Sequence, residues 1–159
     1  MMRSVNMVDV EILLNEHPFF SNLEKKHIDL LTACSHLVQF DAGSYIFREG
    51  EHATAFYLIR DGKVAIEVFA SHKGNIIIQT LDAGDVLGLS WLLPPQQWRF
   101  SACAIDMVRT VEIDGSQLIQ LCEQDHELGF QILKRLFAVI TQRLEATRLQ
   151  LLDIYGLHS

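Results

Sequence analysis

Seven short runs of β-branched and aromatic residues, separated by turn residues, most limit what this 159-residue chain can fold into. The runs, between residues 36 and 114, are HLVQFD, SYIFRE, AFYLIRD, KVAIEVFA, NIIIQTL, RFSACAID and MVRTVEID. Short strands at a spacing of roughly 8–12 residues are typical of a sandwich or a jelly roll. They predict a β-roll over residues 36–113. Asp61-Gly62, between two of the runs, predicts a two-residue hairpin.

Helical patterns flank the β-rich zone on both sides. Residues 1–35 predict N-terminal helices, one of them starting at Ser21 with Glu24 as its capping-box partner. Residues 114–156 predict a short helix and then a long one that begins near Asp125. The fold class expected is mainly β with α, in a single domain over residues 1–159.

The long helix predicts a second copy of the chain. Nearly thirty helical residues extend about 45 Å at 1.5 Å per residue, which is more than one small roll can cover. We therefore expect a homodimer through its apolar face. The alternative is a helix that breaks near Gly129 and wraps its own domain. The candidate interface residues are Leu133, Leu136, Ile140, Leu144, Thr147 and Leu151.

Composition limits the kinds of partner that this protein can bind and the cell compartment in which it is expected. The formal net charge of −7 argues against a DNA-binding surface, which needs clustered cations. No apolar run reaches the ~20 residues of a membrane helix, and acidic residues occur too early for a secretory signal. The three widely spaced cysteines, Cys34, Cys103 and Cys122, favour neither disulfides nor zinc. We expect a cytoplasmic protein without membrane contact.

No arrangement of residues typical of an enzyme stands out. A cupin-type metal enzyme has a similar roll, but it needs two closely spaced histidines and a carboxylate. The sequence offers only His52, within EGEH. No nucleophile lies beside a candidate base at a meaningful spacing. We expect no enzyme, no certain cofactor and no metal, and the cupin remains the less favoured alternative.

Three glycine-containing stretches carry a family resemblance. AGSYIFREGE (42–51), FYLIRDGKVAIEV (56–68) and LDAGDVLG (81–88), followed by the two helices, resemble the cyclic nucleotide-binding domain over nearly the whole chain. Within this family, the motifs most resemble those of the bacterial Crp/Fnr-type regulators. The resemblance implies a double-stranded β-helix (jelly roll), N-terminal helices, a long C-terminal helix and a regulatory, ligand-sensing role. Only GLHS follows Tyr155, so we expect neither the helix-turn-helix domain of those regulators nor DNA binding.

The resemblance places a phosphate-binding cassette at 84–102. In the family, a glycine turn leads to a glutamate for the ribose, a one-turn helix, and an Arg-Ser/Thr-Ala run whose arginine pairs with the phosphate. The glutamate position falls on Leu89 and the arginine position on Phe100. Arg99 lies one residue early, and on a strand it points to the opposite face unless a bulge shifts the register.

Cyclic nucleotide binding is therefore expected to be weak or absent. An arginine and a carboxylate acceptor each contribute about 1.5–3 kcal/mol to such recognition. We expect another small effector, a protein partner, or a vestigial structural module whose pocket is closed by Trp91, Trp98 and Phe100. The implied site residues are Gly88, Leu89, Ser90, Trp91, Arg99, Phe100, Ser101 and Ala102, with Thr147 where the family's threonine reaches the base.

Overall fold

Eight strands lie between N-terminal and C-terminal helices in the computed structural model, which describes residues 2–156 and the side chains of residues 9–156. The two ends of the predicted 1–159 domain lie outside these ranges. The elements are α1 (Met2–Glu16), a 3-10 helix (Pro18–Phe20), α2 (Lys25–Thr32), β1 (Ser35–Phe40), β2 (Tyr45–Phe47), β3 (Ala55–Asp61), β4 (Val64–Ala70), β5 (Gly74–Leu81), β6 (Val86–Leu87), β7 (Ser101–Ala104), β8 (Val108–Asp114), α3 (Gly115–Gln124) and α4 (His126–Tyr155).

The strands form two antiparallel four-stranded sheets that pack face to face as a roll. One sheet has the order β1-β8-β3-β6 and the other β2-β7-β4-β5. Leu58 pairs with Val111 in the first sheet, and Ile66 pairs with Ala102 in the second. All four side chains are buried, because they face the space between the two sheets. The seven predicted strands are all present, and the two-residue β6 was not predicted.

The hairpin predicted at Asp61-Gly62 is wrong. β3 and β4, which flank it, belong to different sheets, so this turn carries the chain across the roll. Gly62 has a φ of +92°, and a Cβ there would lie 2.3 Å from the carbonyl oxygen of Met107. The glycine is therefore required by a close backbone approach as well as by its turn conformation. The chain reverses as a hairpin between β4 and β5 instead.

The helix start predicted at Ser21 is also wrong. Pro18 opens a 3-10 helix that buries Phe19 and Phe20, and Ser21 ends it. α2 begins only at Lys25, with Glu24 as its N-cap and no side-chain capping bond. Burial of the two phenylalanines against the roll outweighs the local capping signal.

The long helix α4 is continuous and begins where the sequence predicts. Asp125 caps it by accepting a hydrogen bond from the N–H of Leu128. Gly129 does not break the helix: it is buried, and a Cβ there would lie 3.0 Å from the carbonyl oxygen of Cys122 on α3. Glycine thus allows α3 and α4 to approach closely. Within the described residues, no helix has both the length and the apolar character needed to cross a membrane.

Candidate functional site

A tight turn at residues 82–85 leads the chain into β6 and the segment that follows. The N–H of Gly84 donates to the carbonyl of Ile59, and the N–H of Ile59 donates to the carbonyl of Asp85. The Asp85 carboxylate closes the turn by accepting from the N–H of Asp82 at 2.8 Å. The turn is therefore fixed to the central strand β3, and the position of Gly88 follows from it.

Gly88 lies directly against an aromatic cluster inside the roll. Its φ is +88°, and a Cβ there would lie 2.7 Å from the six-membered ring of Trp98. That ring is 3% exposed and stacks on Phe47, with centroids 3.7 Å apart and planes 8° apart. Phe100 packs against Phe47 at 5.6 Å. Aromatic rings therefore occupy the space beside Gly88, and Ala102, which pairs with Phe47 across β2 and β7, lines the same region.

Trp91 points elsewhere, toward the start of α3. Its side chain is 1% exposed and meets the ring of Phe56 edge to face, with centroids 5.9 Å apart. A Cβ added at Gly115 would lie 2.9 Å from the Cβ of Trp91. The indole N–H has no hydrogen-bond partner among the described residues. Gln96 holds the loop by donating from its side-chain amide to the Trp91 carbonyl at 2.9 Å.

The segment from Leu89 to Phe100 contains turns and bends but no helix. A short pairing of its end with residues 50–53 holds it in place. The carbonyl of Trp98 accepts from the N–H of Gly50, and the N–H of Trp98 donates to the carbonyl of Glu51. The N–H of Ala53 donates to the carbonyl of Gln96. The one-turn helix that the resemblance implied is absent from this described segment. A helix N-terminus that could hold a phosphate is therefore absent from it as well.

Polar residues of the predicted site point away from the aromatic cluster or are already bonded. Arg99 is exposed, at the bend before β7, and makes no hydrogen bond or ion pair with the described residues. The bulge that could have brought it inward lies in β2, between Tyr45 and Phe47. The Ser101 hydroxyl accepts from the N–H of Glu49 at 2.9 Å. Leu89 and Ser90 are half-buried, and Leu89 packs on the core.

A cavity of about 400 Å³ lies on the outer side of the same turn, between β5 and α4. Phe19, Leu81 and Val139 form apolar parts of its wall, and Gly84 and Asp85 form the floor at the turn. The sequence did not predict this site. A signal was available, because the residues that α4 contributes recur on one helical face: Arg135, Ala138, Val139, Gln142, Arg143 and Ala146.

Arg143 connects α4 to the start of β6. Its guanidinium donates to the carbonyl of Val86. Burial lowers the pKa of Arg143, and the nearby charge of Asp85 partly opposes that shift. Arg135 donates to the carbonyl of Ser21 at 2.7 Å and to the side-chain oxygen of Gln131, and burial also lowers its pKa.

The opposite face of α4 is apolar and exposed. Of the predicted interface residues, Leu136 is 5% exposed and belongs to the chain's own core, so its assignment to an interface is wrong. Thr147 is exposed, and its hydroxyl donates to the carbonyl of Arg143 one turn back. The others are exposed: Leu133, Ile140, Leu144 and Leu151. The interface between two copies stays a prediction.

Candidate metal ligands do not gather anywhere in the described part of the chain, since no three His, Cys, Asp or Glu residues are close enough together. The three cysteines are free thiols. Burial raises the pKa of Cys34 to about 11, so this thiol stays protonated at neutral pH.

The family model of the cyclic nucleotide-binding domain matches residues 37–125, more than half of the chain. This chain belongs to the cyclic nucleotide-binding domain family. The match covers the roll from β1 to the end of α3, including the whole of the predicted cassette. Domains of this family are typically regulatory modules rather than catalysts.

Two curated relatives are longer than this chain. A putative potassium channel protein of Rhodopseudomonas palustris is 30% identical over 115 residues, which are 72% of this chain and 27% of the relative. A CRP-like cAMP-activated global transcriptional regulator of Mycobacterium tuberculosis is 29% identical over 135 residues, 85% of this chain and 58% of that protein. The chain thus spans less than two thirds of either relative.

A solved structure of similar size confirms the fold. A putative cyclic nucleotide-binding protein of Geobacter metallireducens is 27% identical, with a TM-score of 0.75 over 84% of this chain and 97% of the other. The predicted β-roll with N-terminal helices and a long C-terminal helix is therefore correct. The binding roles predicted for individual residues stay predictions: Phe100 and Ala102 lie with Gly88 near the aromatic cluster, whereas Arg99 and Thr147 face solvent.

Proposed function

We propose that this protein is a sensor of the cyclic nucleotide-binding domain family that does not respond to cyclic AMP or cyclic GMP. The observation that carries the proposal is the Trp98 ring, which is stacked on Phe47 and lies over Gly88. In a cassette that holds a nucleotide, the glycine leaves room for the ligand to approach the backbone closely. Here the ring of this chain's own tryptophan takes that room.

The chemistry of the neighbouring positions supports the same proposal. Leu89 offers no acceptor for a ribose hydroxyl, and Phe100 offers no cation for a phosphate. Arg99 is exposed to solvent, where a charge contact contributes little. Two missing contacts of about 1.5–3 kcal/mol each correspond to a loss of affinity of roughly 10²–10⁴-fold.

Titration calorimetry of the intact chain with cyclic AMP and cyclic GMP tests this proposal. We expect no saturable heat with either nucleotide at micromolar concentrations, and the same trace with 5′-AMP as the non-cyclic control. Micromolar binding of either cyclic nucleotide that 5′-AMP does not share would overturn the proposal, because Trp98 would then have to move out of the cluster to admit the ligand.

The output of the sensor is proposed to be a homodimer through α4. Two series of exposed residues recur every seven positions, as the seam of a coiled coil requires. One series contains Leu133, Ile140, Thr147 and Ile154, and the other contains Phe130, Phe137, Leu144 and Leu151. A stripe of this length is too large to be left in water on a stable monomer.

Light scattering coupled to size exclusion tests the dimer with a matched pair of variants. Ile140→Glu places a charge in the seam and is expected to give a monomer. Leu149→Glu makes the same kind of change at an exposed apolar position of α4 outside both series, and is expected to stay dimeric. A wild-type monomer, or equal effects of the two substitutions, would contradict the seam.

A reducing cytoplasm is the proposed compartment. None of the three cysteines forms a disulfide, and the thiol of Cys34 is buried and protonated. The proposed effector is accordingly a metabolite inside the cell or a protein partner.

A further inference from the structure

Two arginines face the cavity beside α4 without an acidic partner. Arg143 donates to the carbonyl of Val86, and Arg135 donates to Ser21 and to Gln131. All of these acceptors are neutral. Across the described side chains, neither guanidinium is within ion-pair distance of a carboxylate. Both are partly desolvated, which lowers the pKa of each, and a partly buried cation without a counter-charge is costly.

Carboxylates are abundant in this chain, so the lack of a partner is informative. The sequence has 20 acidic and 13 basic residues, and even exposed lysines such as Lys25 and Lys26 form ion pairs. Asp85 is the acidic residue that lines the cavity, but its carboxylate is bonded to the N–H of Asp82 in the turn. Its charge acts on Arg143 from beyond ion-pair distance.

We propose that this cavity binds a small organic anion, either a carboxylate or a phosphate monoester with a short apolar part. The guanidinium groups of Arg143 and Arg135 supply charge-assisted N–H donors to the anionic group. Phe19, Leu81 and Val139 supply apolar walls for the remainder of the ligand. A volume of about 400 Å³ falls within the usual range of small-molecule sites. The inference rests on the proposed function and names the class of its effector.

The helix α4 carries residues of both the proposed anion site and the proposed dimer seam, so a bound anion can affect dimerisation. The cavity residues Val139, Arg143 and Ala146 alternate along the helix with the seam residues Ile140, Leu144 and Thr147. An anion held by Arg143 lies between α4 and the start of β6, where Val86 lies. Binding therefore fixes the position of the helix on the roll, and by linkage the dimer and the ligand affect each other's affinity.

Arginine side-chain NMR tests the site directly on the intact chain. The Nε–H signals are followed while butyrate or inorganic phosphate is added at constant ionic strength. We expect saturable shifts for Arg143 and Arg135 and none for Arg148, which lies on the same helix in an exposed ion pair with Glu145. Saturation by butyrate alone identifies a carboxylate ligand, and saturation by phosphate alone identifies a phosphate monoester.

Two pairs of variants separate anion binding from folding. Arg143→Gln is expected to weaken binding of the probe by at least about tenfold, whereas Arg148→Gln leaves it unchanged. Ala146→Leu fills the cavity without removing a charge and is expected to abolish saturation, whereas Gln150→Leu, at an exposed position outside the cavity, does not. The melting temperature of each variant without probe shows whether it is folded.

The inference is overturned if neither probe saturates the Arg143 signal of the folded wild type, or if Arg143→Gln binds the probe as tightly as the wild type does. This result is distinct from failure of the proposed function. Micromolar binding of cyclic AMP with saturable anion shifts at Arg143 would overturn only the nucleotide-independent role, and silence in both titrations would overturn only the anion site.

Discussion

The turn at 82–85, with β6 and Gly88 that follow it, has two sides that are built in opposite ways. On the inner side, toward the roll, Gly88 meets the stacked rings of Trp98 and Phe47, which leave little room and few polar groups. On the outer side, toward α4, the same turn lines a cavity of about 400 Å³ that holds two arginines without acidic partners. The family's usual ligand requires the inner side to be open and charged.

In the site proposed above, the ligand meets α4 from the outer side of the turn and not from inside the roll. α4 contacts the turn through Arg143 and Val86 whatever lies inside the roll. A ligand in the proposed outer site contacts this helix without a phosphate-binding cassette. The proposed function requires an inner side that is rigid and filled and an outer side that adapts to a ligand.

The substitution Trp98→Ala tests the filled inner side and is expected to have the largest effect on stability. Removing a buried, stacked indole should lower the free energy of unfolding by about 3–5 kcal/mol, because the cavity left behind cannot collapse fully against Phe47. Urea denaturation followed by circular dichroism measures this change.

Phe69→Ala is the matched control, since this aromatic side chain is 67% exposed on β4. Its cost should stay within about 0.5 kcal/mol. If Trp98→Ala costs no more than the control does, the tryptophan is a loose cover rather than part of the core, and the contrast between the two sides of the turn fails.

A somewhat smaller loss is expected from Gly88→Ala. The positive φ of this residue and the 2.7 Å approach of a Cβ to Trp98 together should cost about 2–4 kcal/mol. Gly43→Ala isolates the backbone part, because Gly43 has a φ of +84° and no atom within 4 Å of its Cβ position. It should cost about 1 kcal/mol, measured by the same denaturation experiment. Equal losses at the two sites would mean that the ring moves aside freely.

Most of the roll could be predicted from the sequence because its strands are separated by strong turn residues and rich in β-branched and aromatic residues. β6 could not, since two residues show no periodicity; Val86 and Leu87 pair with β3 because the turn before them is bonded to Ile59. The Asp61-Gly62 turn was correctly placed but assigned to the wrong connection. Local turn chemistry does not encode which sheet the next strand joins.

The candidate site was predicted less well, for a physical reason. A cassette motif is contiguous, so its position at 84–102 and its unusual residues Leu89 and Phe100 could be identified directly. The outer cavity is assembled from segments far apart in the chain, such as Phe19 and Arg143. On α4, the apolar spacing predicts Leu136 at an interface, although the helix turns that residue into the core. Which stripe of a long apolar helix faces inward depends on its packing.

The smallest effect is expected at His17, which supports the turn from its outer side. Its Nδ1 accepts from the N–H of Phe19, so its Nε2–H donates to the carbonyl of Ile59 at 3.1 Å, which requires a neutral ring. Burial lowers the pKa of His17 below its ordinary 6.5, although the Ile59 bond and the charge of Asp85 partly oppose the shift.

Because the unfolded chain takes up this proton first, the stability contribution of His17 is complete above about pH 6.5 and declines as the pH falls toward its folded pKa. The slope is at most about 1.4 kcal/mol per pH unit for one group. Urea denaturation between pH 7.5 and pH 5.5 should therefore show a weaker pH dependence in His17→Asn than in the wild type, while His72→Asn, at an exposed position, behaves like the wild type. An unchanged dependence in His17→Asn would show that the turn does not require a neutral imidazole beneath it.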